Sequence, residues 1–108
     1  MIIATAELLP SLGQRKAMLE LLQYVREHAA IWQDCLDSAV YEAADDSRRI
    51  LYLEMWSSER GLHAHISSKP FLRLLNAMEL ASEQPTISFH EVGKTRSMEL
   101  IEELRAVR

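Results

Sequence analysis

The sequence predicts an α+β domain in which one four-stranded antiparallel sheet carries its helices on a single face. Two runs of aliphatic and β-branched residues with period-two character, Ile2 to Leu9 and Ile50 to Trp56, mark strands. Between and beyond them lie stretches with apolar residues at 3.6-residue spacing, the mark of helices with one buried side. Serine, glycine, proline and aspartate punctuate the junctions.

The first run mixes aliphatics with Thr5 and Glu7 at alternate positions, and Pro10 ends it by removing a ladder donor. After Ser11 and Gly13, Met18, Leu21, Leu22, Val25 and Ala29 line one side of a long helix. Arg15, Lys16, Glu20, Arg26 and Glu27 take its other side. Trp32, Asp34 and Cys35 lead into a strand from Leu36 to Ala43, where Val40 and Tyr41 favour extended backbone. The polar Asp45-Asp46-Ser47 turn feeds Ile50 to Trp56, which completes a hairpin.

Ser57 or Ser58 is placed to cap the next helix, Glu59 sits near its positive end, and Leu62, His65 and Ile66 face inward. Ser67, Ser68 and Pro70 restart the chain as another helix, whose apolar residues are Phe71, Leu72, Leu74, Leu75, Met78 and Leu80. Pro85 opens a last strand, Thr86 to Val92, and Gly93 ends it. Ser97 is placed to cap a final helix with Leu100, Ile101, Leu104 and Val107 opposite Glu99, Glu102 and Glu103. This order is a ferredoxin-like βαββαβ sandwich over residues 1–93, with residues 94–108 as an amphipathic helical extension of the same domain.

With 108 residues, 48% of them hydrophobic, the chain holds one core and not two. Twelve basic against sixteen acidic residues, with no basic cluster interleaved with aromatics, argue against a nucleic-acid partner. The opening apolar run is too short to cross a bilayer and lacks the basic flank of a secretory signal, so a cytoplasmic protein with no membrane partner is expected. Cys35 is the single cysteine, which excludes an intrachain disulfide and a cysteine-based zinc site within one chain.

The strand Ile50 to Trp56 is apolar on both sides, Leu51, Leu53 and Met55 on one and Ile50, Tyr52, Glu54 and Trp56 on the other. Helices cover only one face of such a sheet. The expectation is that Tyr52, Glu54 and Trp56 lie beneath the helices while the aliphatic trio meets a second copy, because a large exposed apolar patch is uncommon on a monomer. Periodicity alone leaves the opposite assignment open.

Chemistry is expected where His65 returns towards that strand. An imidazole titrates close to neutrality and accepts a phenolic proton, and Glu54 beside it would fix the tautomer. Tyr52, Trp56 and Leu62 would line the substrate pocket. A structural reading predicts the same contact, with His65 and Glu54 as a buried pair and the aromatics as core. His63, two residues from His65, points to a different side of the helix, and His28 and His90 have no ligand spacing around them, so no metal site is expected.

These residues also carry a resemblance. Ile2-Ile3-Ala4, Cys35-Leu36, Tyr41-Glu42 before acidic turn residues, and above all Glu54-x-Trp56 followed by Leu62-x-x-His65-x-x-Ser68-x-Pro70-Phe71, resemble the antibiotic biosynthesis monooxygenase family, quinol monooxygenases among them. The resemblance implies a dimeric α/β barrel with a ligand pocket between sheet and helices. For several members it implies oxidation of aromatic or quinol compounds by O2 without metal, haem or flavin, hence no cofactor. Polyketide-oxidising members carry an asparagine where this chain has Tyr52, haem-degrading members have one on the first strand, and Asn76 is the only asparagine here. The quinol-type branch therefore fits best. The expected function is a homodimeric, cofactor-independent monooxygenase of a quinol or other electron-rich aromatic, with His65 and Glu54 catalytic. The alternatives are a binding module without turnover and an oxygen-independent isomerase of an enolisable metabolite.

Overall fold

A computed structural model describes residues 1–106. Its elements are β1 (Ile2–Leu8), α1 (Arg15–Ala29), β2 (Cys35–Glu42), β3 (Ile50–Trp56), α2 (Glu59–Ile66), α3 (Leu72–Glu79), β4 (Thr86–Glu91) and α4 (Met98–Ala106). The strands form one antiparallel sheet in the order β2-β3-β1-β4. This is the expected ferredoxin-like α+β arrangement with an added terminal helix.

The register follows from side-chain alternation, since a one-residue slip would turn every buried residue to the wrong face. Tyr52 stands between Ala6 and Val40, Glu54 between Ala4 and Ser38, and Trp56 between Ile2 and Cys35. A register shift between Cys35 and Asp37 bends the start of β2, whereas β4 pairs with β1 without interruption from Thr86 to Glu91. Alanines at positions 4 and 6 leave room above the sheet for the larger side chains of β3.

The helices cover the even-numbered residues of β1 and β3. Ile50, Tyr52, Glu54 and Trp56 are buried, while Leu51, Leu53 and Met55 are only half-buried. The face assignment expected for β3 is therefore the observed one. Met18, Leu22 and Val25 of α1 join Leu74 and Ala77 of α3 and Leu8, Ile50 and Tyr52 of the sheet in the main cluster. Ile2, Ala29, Trp56 and Leu62 form a second cluster at the other end.

Two connections hold the layers in place. Gly13 takes a positive φ of 80° in the turn before α1, a conformation glycine adopts without strain. The segments flanking α1 and α3 are stitched by Ser11 N–H to the Leu80 carbonyl and Ser82 N–H to the Leu9 carbonyl, both 2.9 Å.

The departures from expectation are local. Leu21 is half-buried instead of core, because it falls at the margin of the buried stripe of α1. β4 stops at Glu91, although Val92 N–H still reaches the Met1 carbonyl. Pro70 precedes α3 instead of opening it, and Ser97 directs its hydroxyl to the Glu99 carboxylate. The stripe on α4 is not buried: Leu100 is half-buried and Ile101 and Leu104 are exposed, while Val107 falls outside the described residues.

Candidate functional site

Burial of Glu54 by β-strand alternation sets a physical requirement, because a carboxylate removed from water needs donors on both oxygens. It has them. Trp56 Nε1 donates to Oε1 at 2.9 Å, the Tyr52 hydroxyl donates to Oε2 at 2.5 Å, and His65 Nε2 lies 2.9 Å from Oε2. Two of these donors lie two residues away on the same face of the same strand. The third comes from α2.

The position of α2 is fixed at its start. Ser58 takes extended backbone and its hydroxyl accepts from Gly61 N–H, the capping arrangement expected of it. The same hydroxyl donates to Asp34 Oδ2 at 2.8 Å, and Ser57 N–H donates to the Asp34 carbonyl at 2.9 Å, so the loop before β2 grips the helix start. A β-carbon at Gly61 would sit 2.7 Å from Asp34 Cβ, so only glycine permits this approach. Sequence reasoning missed Asp34 in this role. Its partner is 24 residues away and no local pattern announces it.

From that anchor, about two helical turns bring His65 inward, where the whole residue is inaccessible to solvent. Its ring stacks on Trp56 with centroids 5.2 Å apart and meets Phe71 edge-on at 5.4 Å. Indole is a donor only, and the Tyr52 hydroxyl keeps its proton because burial, then the adjacent Glu54 charge, pushes its pKa far up. An ionised Glu54 is an acceptor only, and in that form the hydrogen it shares with His65 sits on Nε2. The opposite ring nitrogen, Nδ1, is buried and has no hydrogen-bond partner, the single such side-chain atom among the described residues.

Cavities lie next to this group without reaching His65. A narrow cleft lined by Ala4, Ala6, Tyr52, Glu54, Phe71 and Phe89, among others, leaves about 10 Å³, room for hardly one water molecule. A wider hollow of about 490 Å³ between α2 and β4 is lined by Ile2, Glu59, Leu62, His63, Ile66, Phe89 and Glu91. Of the residues expected to line a pocket, Tyr52 borders the cleft and Leu62 the hollow. Trp56 borders neither, being fully buried with its polar atom committed to Glu54. Phe71 and Phe89, which do border the cleft, were not singled out, because an aromatic in an apolar segment carries no mark of where its ring ends up.

The remaining titratable residues stand apart. His63 projects from α2, 3.5 Å from Glu59, largely exposed as expected. His28 Nδ1 contacts the Tyr24 carbonyl at 2.8 Å, and no three metal-ligating side chains converge among the described residues. Cys35 donates to the Asp37 carbonyl, and burial, with the Glu54 charge second, pushes its thiol up to about 11, away from nucleophilic reactivity. No helix among the described residues is long and apolar enough to cross a membrane.

No protein-family model and no curated protein sequence matches the chain. Solved structures do. A provisionally named antibiotic biosynthesis monooxygenase from Deinococcus radiodurans superposes with a TM-score of 0.78 at 19% identity, covering 90% of this chain and 97% of its own. A protein of Mycobacterium tuberculosis gives 0.78 at 21% identity over 89% and 98%. A second provisionally named antibiotic biosynthesis monooxygenase, from Nitrosomonas europaea, gives 0.76 at 14% over 87% and 100%. The chain thus has the fold of structures bearing that family name, in agreement with the resemblance in its motifs.

Proposed function

We propose that the protein is a cofactor-independent monooxygenase acting on a quinol or other electron-rich hydroxylated aromatic, with His65 as general base. The observation that carries this is the pairing of a tethered Nε2 with a buried, unpartnered Nδ1. Glu54 fixes the tautomer and stabilises the imidazolium, so the free nitrogen is the one that accepts a proton. Neutral Nδ1 takes the hydroxyl proton of the substrate, and the resulting aryl oxide gives an electron to O2. Radical recombination joins oxygen to a ring carbon. The second oxygen atom leaves as water with the two hydrogens the substrate loses, one of them returned from Nδ1. Apolar walls keep bulk water from the charged intermediates. Tyr52 remains a donor and holds Glu54, while Trp56 supports the imidazole face.

In this reading the protein works as a homodimer, joined through the half-buried sheet face of Leu51, Leu53 and Met55. Oxygen uptake with a panel of quinols tests the chemistry. Wild type exceeds the uncatalysed rate, His65→Ala falls by about 100-fold or more in kcat, and Glu54→Gln falls less, in line with loss of a general base and of its orienting group. Equal uptake by wild type and His65→Ala sinks the assignment.

The wider hollow between α2 and β4, which is lined by Leu62 and not by His65, supports a second reading, a binding module without turnover. Thermal stabilisation by an aromatic ligand, with no product under air or nitrogen, would select it. Product formed equally in both atmospheres would instead indicate an isomerase.

A further inference from the structure

His65 is fully enclosed, so a ligand reaches Nδ1 only if a neighbour moves aside. Three polar or aromatic groups contact the imidazole: Glu54, Trp56 and Phe71. Glu54 is held by three polar partners, and Trp56 is tied to Glu54 through its indole nitrogen and packed among Ile2, Ala29 and Leu62. Neither moves without breaking buried hydrogen bonds. Phe71 has no polar tether: its ring meets the imidazole edge-on on one side and lines the narrow cleft on the other, with 8% of the residue exposed. It also stands outside regular helix, between the turn that follows α2 and the first residue of α3. Ser68 holds the His65 end of that turn, its hydroxyl donating to the His65 carbonyl at 2.6 Å.

Beyond Phe71 the sheet is open. β4 places Phe89 beside Ala4 and Ile87 beside Ala6 on the helix side, yet these two large side chains are 47% and 38% exposed. The cleft therefore runs from the Phe71 ring to an uncovered apolar shelf, which offers a displaced phenyl ring an apolar place to go.

We propose that Phe71 is the gate to His65 and the residue that decides which rings are admitted. The phenyl ring holds the place of the ligand. When it swings onto the shelf of Ile87 and Phe89, a flat single-ring hydroxyaromatic takes its position, with the hydroxyl donating to Nδ1. Fused ring systems are excluded, because the space vacated is that of one benzene ring between Tyr52, Leu74 and the imidazole. This inference rests on the role given to Nδ1, but its test needs no turnover and so stands or falls separately from the oxygen chemistry.

The test is histidine footprinting with diethyl pyrocarbonate, read residue by residue by mass spectrometry, on wild type, Phe71→Leu and Phe71→Ala. In wild type His65 reacts at least about tenfold more slowly than exposed His63, since a buried group reacts only through local opening. Phe71→Ala abolishes most of that difference and Phe71→Leu part of it, while alkylation of Cys35 stays at the wild-type rate. His65 remaining protected in a cooperatively melting Phe71→Ala overturns the gate. Cys35 and His65 gaining reactivity together in both variants also overturns it, because the whole core would then have loosened. If Phe71→Ala does not fold, Phe71→Leu decides by the same two criteria.

A second arm uses the space left in whichever variant folds. Phenol protects His65 from the reagent and stabilises the variant more than benzene does, as an apolar cavity with one free acceptor requires. Equal effects of the two compounds would overturn the assignment of Nδ1 as the receiving atom.

Discussion

The two faces of β3 reverse the usual division of labour in a sheet. Its covered face holds a tyrosine, a glutamate and a tryptophan joined by hydrogen bonds, and its uncovered face holds leucines and a methionine. Burial by helices normally selects aliphatics, and exposure selects polar side chains. The reversal shows two separate demands on one strand. The covered face sacrifices cohesion for a polar group divided between two apolar clusters, and the outer face keeps aliphatics at half burial, which is what the proposed dimer contact would cover.

The largest expected effect lies on the covered face. Glu54→Ala leaves the Tyr52 hydroxyl, the indole N–H and the imidazole without their shared acceptor, and urea unfolding should show a loss of about 3–5 kcal/mol, the range for breaking a buried polar network. Glu54→Gln retains part of the network and should lose less. If the alanine variant is as stable as wild type, the group is not what holds this end of the core.

Next comes the outer face. Leu53→Asp places a charge among Thr5, Ala39 and the other aliphatics, and sedimentation should show self-association weakened by about 3 kcal/mol, roughly 100-fold. A wild type that sediments as a monomer at every concentration would break the comparison, leaving the aliphatic trio unexplained. Gly61→Ala should cost about 1–3 kcal/mol through overpacking against Asp34, since one partner must shift. Its distinguishing sign would be partial recovery in the double variant with Asp34→Gly.

The smallest effect is alkaline. Cys35 titrates at about 11 in the fold against 9.0 for the free thiol, and Tyr52 is also raised above its free value of 10.0. In both cases the unfolded chain releases its proton first, so their contribution is complete below pH 9 and is lost as pH rises through the folded values. Melting temperature should therefore fall from about pH 9 upward, Cys35→Ala flattening the first part of the fall and Tyr52→Phe the later part. An unchanged profile in Tyr52→Phe would mean its phenol ionises as easily folded as unfolded.

Much of the covered face was legible because it depends on local rules. Alternation placed Tyr52, Glu54 and Trp56 on one side, the serine before Glu59 marked a helix start, and seven residues further on His65 fell on the inner side of that helix. What escaped depends on distant pairs. The grip of Asp34 on α2 arises only once β2 and β3 are side by side. The closing of the cleft depends on the exact path of the turn from Ser67 to Pro70, which decides whether the ring of Phe71 lies on the imidazole or away from it. The stripe on α4 was readable as a pattern, but a pattern names no surface, and the helix buries no residue.

The uninterrupted ladder of β4 leaves one more trace in the behaviour of the protein. β4 is an outermost strand with neither bulge nor proline, and its outward amides and carbonyls form a straight template for another extended chain. At the opposite margin, the kink near Cys35 roughens β2. Under conditions that loosen the fold, fibrillar growth should start from the Thr86-to-Glu91 margin, and a lysine in place of Ser88 should delay it.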